Sequence, residues 1–316
     1  MNGLEIARGY YEEFGKPMLE AEFADILPLL AVGFVGSGSE HYGYDDEISR
    51  DHDFEPGFCI FLPVEDVVDR RRAFQLERAY AKLPKEYAGV TRQRISPVGG
   101  SRNGVMRTEE FYAKAVGSPN GELSCMQWLR LPDHALAEAV NGEVFLDNYG
   151  EFSKIREALI CMPEDVKRKR LAGNLLLMAQ AGQYNFLRCV KRGEPEAAQF
   201  ACVEFVTAAM KTHFLLQDRY MPYYKWSFRA FRELVGTGAL AEKMSFLLFG
   251  DARDAAVAGK MYDAIEEIAA ETVSRLRERE LTEAICGDLE KHAYSVNDKI
   301  ADSALRNMNV LIAVGE

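Results

Sequence analysis

Two patterns of apolar and polar positions divide this chain of 316 residues. Through about residue 155, short apolar runs are separated by Gly, Pro, Asn and Asp, and strand-like and helix-like periods alternate. From Met162 onward the strand signals stop and apolar residues recur at helical spacing to the end. In the first part the pattern predicts helical residues 3–28, broken near Gly15 and Pro17, then a strand over 29–35. A short helix or turn follows over 39–48, then a strand or strand pair over 51–62, bent at Glu55-Pro56-Gly57. A charged amphipathic helix is expected over 65–82, strands over 90–98 and 104–107, and helices over 109–116 and 133–140. A strand over 143–147 and a helix over 152–159 complete this part. In the second part Pro163-Glu164-Asp165 carries a helix-start signature, with Pro near the first helical position and acids at the positive end of the dipole. Further helices are expected up to 216, to about 234, and over 240–249, 253–279 and 281–308. The fold class is α+β: a mixed sheet with helices over residues 1–154, followed by an all-helical bundle over 155–316.

Composition narrows the class. Hydrophobic residues at 48% and charged residues at 28% are those of a globular protein with a sizeable core. A net charge of −11 argues against a surface for long nucleic acid, which needs a basic stripe, and leaves room for a local anion pocket. The six cysteines are scattered without CxxC spacing and read as reduced thiols of a cytoplasmic protein. No apolar run approaches the ~20 residues of a membrane helix, and no leader pattern opens the sequence.

The chemistry is densest in residues 35–61. The apolar run 29–35 feeds into Gly36-Ser37-Gly38-Ser39, and thirteen residues then separate Ser37 from Asp51-His52-Asp53. On a strand Asp51 and Asp53 share a face, and two adjacent carboxylates are tolerated when a divalent cation such as Mg²⁺ sits between them. A loop of small residues after a strand lets backbone N–H groups approach a phosphate. Elsewhere, Lys225 lies among Tyr220, Tyr223, Tyr224 and Trp226, where it could neutralise a triphosphate while a ring stacks on a base. Gln183, Asn185 and Arg188 form a polar face on a predicted helix, with Arg188 a candidate anion contact. Glu204 is an acid in an apolar stretch, and Asp147 reads as an Asx cap or a carboxylate ligand.

Apolar–Gly–Ser, about a dozen residues, then Asp–x–Asp resembles the signature of the nucleotidyltransferase superfamily, which includes polymerase-beta-like and aminoglycoside nucleotidyltransferases. Further stretches resemble an uncharacterised bacterial family that joins such a domain to a helical one. They are Trp128-Leu129-Arg130-Leu131-Pro132, Asn141-Gly142-Glu143-Val144-Phe145 with Asp147, Gly182-Gln183-Tyr184-Asn185 with Arg188, and Tyr220 to Trp226. The resemblance implies that Asp51 and Asp53 bind Mg²⁺, and that Gly36, Ser37 and Ser39 hold the β- and γ-phosphates of an NTP, ATP first among them. A hydroxyl of a small molecule or protein would attack the α-phosphorus, and pyrophosphate would leave. Superfamily members usually bring a third carboxylate from a later strand. Here residues 102–106 offer none, and Glu109, Glu110 and Asp147 are the nearest substitutes. Aminoglycoside enzymes tend to carry Arg where this chain has Glu40. The expected activity is therefore nucleotidyl transfer. The alternatives are a catalytically silent nucleotide-binding regulatory module and an antitoxin-like enzyme that modifies a protein partner. A homodimer is left open.

Overall fold

The computed structural model describes residues 1–51, 55–91 and 103–314, with the side chains of Arg50 and Asp51 excepted. The chain divides into two compact units. One comprises residues 1–123 and 134–161, the other residues 124–133 and 162–316. The sequence boundary near 155 thus becomes a division after Cys161, with Ser124–Asp133 belonging to the second unit. Among the described residues, no helix is long and apolar enough to cross a membrane.

The first unit is built on strands β1 (Ala31–Phe34), β2 (Cys59–Leu62), β5 (Gly104–Arg107) and β6 (Glu143–Asp147), in the order β5-β2-β1-β6. The short hairpin of β3 (Glu86–Tyr87) and β4 (Val90–Thr91) stands apart from this sheet. β1 pairs antiparallel with both β2 and β6, and β2 pairs parallel with β5, so the sheet is mixed. Alternation along β2 sorts the layers. Ile60 and Leu62 join Val32 in a core with Tyr10, Leu19, Phe23, Leu76 and Tyr80, from the N-terminal helices and the helix Arg70–Ala81. Phe61, between them, is stacked on Phe152 at 4.1 Å, where the helices Thr108–Val116 and Glu151–Ile160 pack.

Three local expectations change. The N-terminal helix is not broken at Gly15. It runs through a π-helical turn, Tyr11–Gly15, into Lys16–Glu22. Pro17 follows directly on that turn, so the continuous helix forgoes the one backbone bond that proline cannot donate. The strand expected from Asp51 is shorter, because Asp51 closes a 3-10 turn, Ile48–Asp51, and β2 starts only at Cys59. The Asp46 carboxylate accepts the Ser49 N–H at 2.9 Å and starts that turn as an N-cap would. The last expected helix is two, Leu289–Asp298 and Ser303–Asn307, each opened by an aspartate cap, Asp288 or Asp302.

In the second unit, Glu164–Met178 continues through a π-helical stretch, Ala179–Phe186, into Leu187–Lys191. It packs against Pro195–Leu216 and Leu289–Asp298. Buried Lys169 donates to Asn297 Oδ1 at 2.8 Å and to the carbonyls of Met308 and Arg306 at 2.7 and 3.2 Å. The C-terminal segment is thereby tied to the central helix. Arg170 does the same for Ser124–Asp133, by bonds to Trp128 O, Leu131 O and the Asp133 carboxylate.

Candidate functional site

β1 runs directly into the glycine loop. Gly36 and Gly38 have φ of +121° and +131°, a region that side chains with a Cβ rarely adopt. A Cβ on Gly38 would also collide with the Glu40 carboxylate. The loop is held from β6's side of the sheet. The Asn141 side chain accepts the Gly36 N–H at 2.9 Å and donates to the Gly36 carbonyl at 2.7 Å. Gly36 therefore has both backbone groups engaged. Among the described residues the N–H groups of Ser37 and Gly38 have no acceptor.

Gly36 and Ser37 open onto a cavity of about 800 Å³ within the first unit, inside the range of small-molecule sites. Its floor comes from β5, through Gly104, Val105 and Met106, and its walls include Tyr80, Phe111 and His41. Tyr80 is fixed by accepting the Phe58 N–H at 3.0 Å and donating to the Phe58 carbonyl at 2.8 Å. His41 is buried, stacked on Phe34 with ring centroids 4.1 Å apart, and its Nδ1 lies 3.6 Å from the Glu40 carboxylate.

Among the described residues, the charged lining comprises Glu55, Glu77, Glu110 and Glu138 against Lys114, with His41 and His134 beside them. Four carboxylates facing one ammonium would repel a bare triphosphate and suit one that arrives with a divalent cation. Among the described residues there is no group of three or more His, Cys, Asp or Glu placed to hold a metal. Mg²⁺ does not require one, since it is usually held by one or two carboxylates together with substrate phosphates. The carboxylate-rich lining is therefore compatible with a nucleotide that carries its own divalent cation. Asp53 itself lies outside the described residues, as does the side chain of Asp51.

The remaining expected residues fall as follows. Ser39 is buried, and its hydroxyl donates to Glu40 Oε2 at 3.3 Å, so it is turned away from the cavity that Ser37 lines. Arg188 and Lys225 belong to the second unit, and both are exposed. The Arg188 guanidinium stands 4.2 Å over the Tyr184 ring. Lys225 is in the first turn of the helix Tyr224–Arg232. Gln183 is internal to its unit, bonded to Glu266, to the Gly287 carbonyl and to the Leu289 N–H. Glu204 is exposed rather than held in an apolar pocket. Asp147 is the cap of the helix Glu151–Ile160, its two oxygens accepting the N–H groups of Gly150 and Ser153 at 2.8 and 2.7 Å. Asp147 is also absent from the lining of the cavity that Gly36 and Ser37 open onto. Of the other substitutes, Glu110 lines the cavity, and Glu109 does not.

Sequence reasoning missed Asn141 and Arg156. Asn141 entered only within the stretch Asn141–Phe145 of the family resemblance, and nothing in the sequence pairs it with a glycine 105 residues earlier. The Arg156 guanidinium collects the carbonyls of Val140, Asn141 and Gly142 at 2.6, 3.1 and 3.2 Å. Burial holds its pKa below the usual arginine value.

A family model described as "Domain of unknown function (DUF4037)" matches residues 128–227. That stretch includes Asn141, Arg156, Arg188 and Lys225, and excludes the glycine loop and Asp51. No curated protein and no solved structure matches the chain.

Proposed function

We propose that this protein transfers a nucleoside monophosphate from an NTP, with ATP the first to test, to a hydroxyl of a small molecule or protein, in a Mg²⁺-dependent reaction. The observation that carries the reading is the Gly36-Ser37-Gly38 loop at the end of β1. Its backbone conformation is glycine-dependent, two of its N–H groups have no acceptor among the described residues, and it opens on a nucleotide-sized cavity. Asp51 and Asp53 would hold Mg²⁺, which when bound offsets the charge of the triphosphate and of the departing pyrophosphate. The N–H groups of Ser37 and Gly38 orient the phosphate tail. Val105, Met106 and Phe111 give the cavity an apolar side against which a base or an acceptor can pack. The acceptor oxygen forms its bond to the α-phosphorus as the bond to the bridging oxygen breaks and pyrophosphate departs. The hydroxyl proton passes to a carboxylate of the cavity lining, for which Glu110 is one candidate.

The test is incubation with each labelled NTP, Mg²⁺ and a panel of hydroxyl-bearing acceptors, scoring pyrophosphate release. Asp51→Asn and Asp53→Asn should each lower turnover by at least ~10²-fold, as expected when a charge-stabilising group is lost. A protein that binds no NTP in the presence of Mg²⁺ would sink the reading. Mg²⁺-dependent binding without pyrophosphate release across the panel would favour the silent module, for which the acid-free strand Gly104–Arg107 is the supporting observation.

A further inference from the structure

We propose that Asn141, fixed by Arg156, is the positioning residue of the glycine loop, and that it sets the Ser37 and Gly38 N–H groups for the phosphate oxygens of a nucleotide. The ligand named rests on the nucleotidyl-transfer reading; the clamp stands on its own geometry.

The antiparallel register of β1 and β6 pairs Gly33 with Val144 and Phe34 with Glu143. Continued by two places, it brings Gly36 opposite Asn141. Backbone pairing has already ended, at Phe34 with Glu143, and Gly36 at φ +121° is no longer extended. The Asn141 side chain takes over the ladder position, supplying an acceptor for Gly36 N–H and a donor for Gly36 C=O. Only a carboxamide offers both groups at that reach: a carboxylate can accept but not donate, and a methyl can do neither. The clamp holds the peptide before Ser37, and so the direction of the next two N–H groups.

The clamp is itself held. Gly142 has φ +65°, and a Cβ there would run into the carbonyl oxygen of Phe34, so the turn lies directly on β1. The Arg156 guanidinium ties three successive carbonyls of the same turn. Its charge also lies behind the loop, where it favours an anion at the loop over a neutral group. Nothing in the sheet requires this arrangement. The strand pairs are complete without it, and an ordinary turn at Asn141-Gly142 would need neither a side chain on Gly36 nor an arginine on three carbonyls.

Asn141→Ala, Asn141→Asp and Arg156→Lys test the proposal with two readouts. Hydrogen exchange of the Gly36 amide needs no ligand. It should accelerate at least ~10-fold in Asn141→Ala, whose acceptor is gone, and stay slow in Asn141→Asp, which still accepts. Equilibrium binding of Mg–ATP, with kcat and KM where turnover is measurable, reads the consequence. Both Asn141 variants should weaken nucleotide binding at least ~10-fold, with KM rising more than kcat falls, and Arg156→Lys should lie between them and wild type. A variant that is merely destabilised would instead lose amplitude at unchanged affinity. Should Asn141→Ala not fold, the Asn141→Asp binding result and Arg156→Lys decide. Wild-type Gly36 exchange in Asn141→Ala would overturn the clamp. Wild-type nucleotide affinity in both Asn141 variants would overturn its role in binding. If the wild type binds no Mg–NTP, the nucleotidyl-transfer reading and the ligand named here fail together, while the exchange result still supports or overturns the clamp.

Discussion

Arg170→Met should unfold the second unit early. Arg170 is 4% exposed and Asp133 6%, and they meet at 3.1 Å. The same guanidinium bonds the carbonyls of Trp128 and Leu131 at 3.3 and 3.2 Å. Methionine removes the charge and all three bonds while keeping an unbranched side chain. Among the described residues, the Asp133 carboxylate then stays buried with only Lys211 Nζ, at 3.8 Å and partly exposed, as counter-charge. Removing one partner of a buried pair costs about 3–5 kcal/mol, and the two stranded carbonyls keep the figure in the upper part of that range. At an m-value of ~1–3 kcal/mol per molar urea, ~4 kcal/mol lowers the midpoint by about 2 M. The assay is selective, because both tryptophans, Trp128 and Trp226, lie in the second unit and their fluorescence follows its unfolding. The double variant Arg170→Met/Asp133→Leu should recover most of the loss, since replacing both charges by apolar groups is often neutral or stabilising. A midpoint shift below ~0.5 M in the single variant, with m unchanged, would refute the reasoning. So would a double variant no better than the single.

Other outcomes follow from individual groups. His213 is fully buried, and burial, with the Arg275 charge adding to it, pushes its pKa down to about 3. The unfolded chain, titrating near 6.5, binds the extra proton between those values, so stability falls as pH drops through 6.5 toward 3, by on the order of 4 kcal/mol; His213→Gln should flatten the urea-midpoint profile over that window. Gly142→Ala forces a Cβ onto the Phe34 carbonyl at φ +65° and should lower the Tm of the first unit by several degrees, as read by calorimetry. Asp147→Ala removes the acceptor of two helix N–H groups and should cost ~1–2 kcal/mol in the same measurement, with Asp147→Asn recovering part of it. In the native protein a thiol reagent should modify exposed Cys125, Cys161 and Cys286 quickly. Cys59 and Cys202, buried and with thiol pKa values pushed up to about 12, should react only on unfolding.

Periodicity alone made much of the fold legible. Strand Glu143–Asp147 appears with the bounds expected, and the sheet-to-helix change of character after residue 155 is real, because burial on one face of an element leaves a local, repeating trace. The placement of Gly36-Ser37 after an apolar strand was equally local, and so it too was readable. What lay beyond the sequence were interactions without a period. Ser124–Asp133 belongs to the second unit because one buried arginine, forty residues on, gathers its carbonyls and its acid. Ser39 turns inward because Glu40 is there to accept its proton. The glycine loop takes its direction from Asn141, which neighbours Gly36 only once β1 and β6 have paired. Hydrophobic spacing determined which segments fold and which face they bury. The pairing of single polar groups, each worth about a kilocalorie and specific to one partner, was decided only when tertiary structure brought distant residues within hydrogen-bond reach.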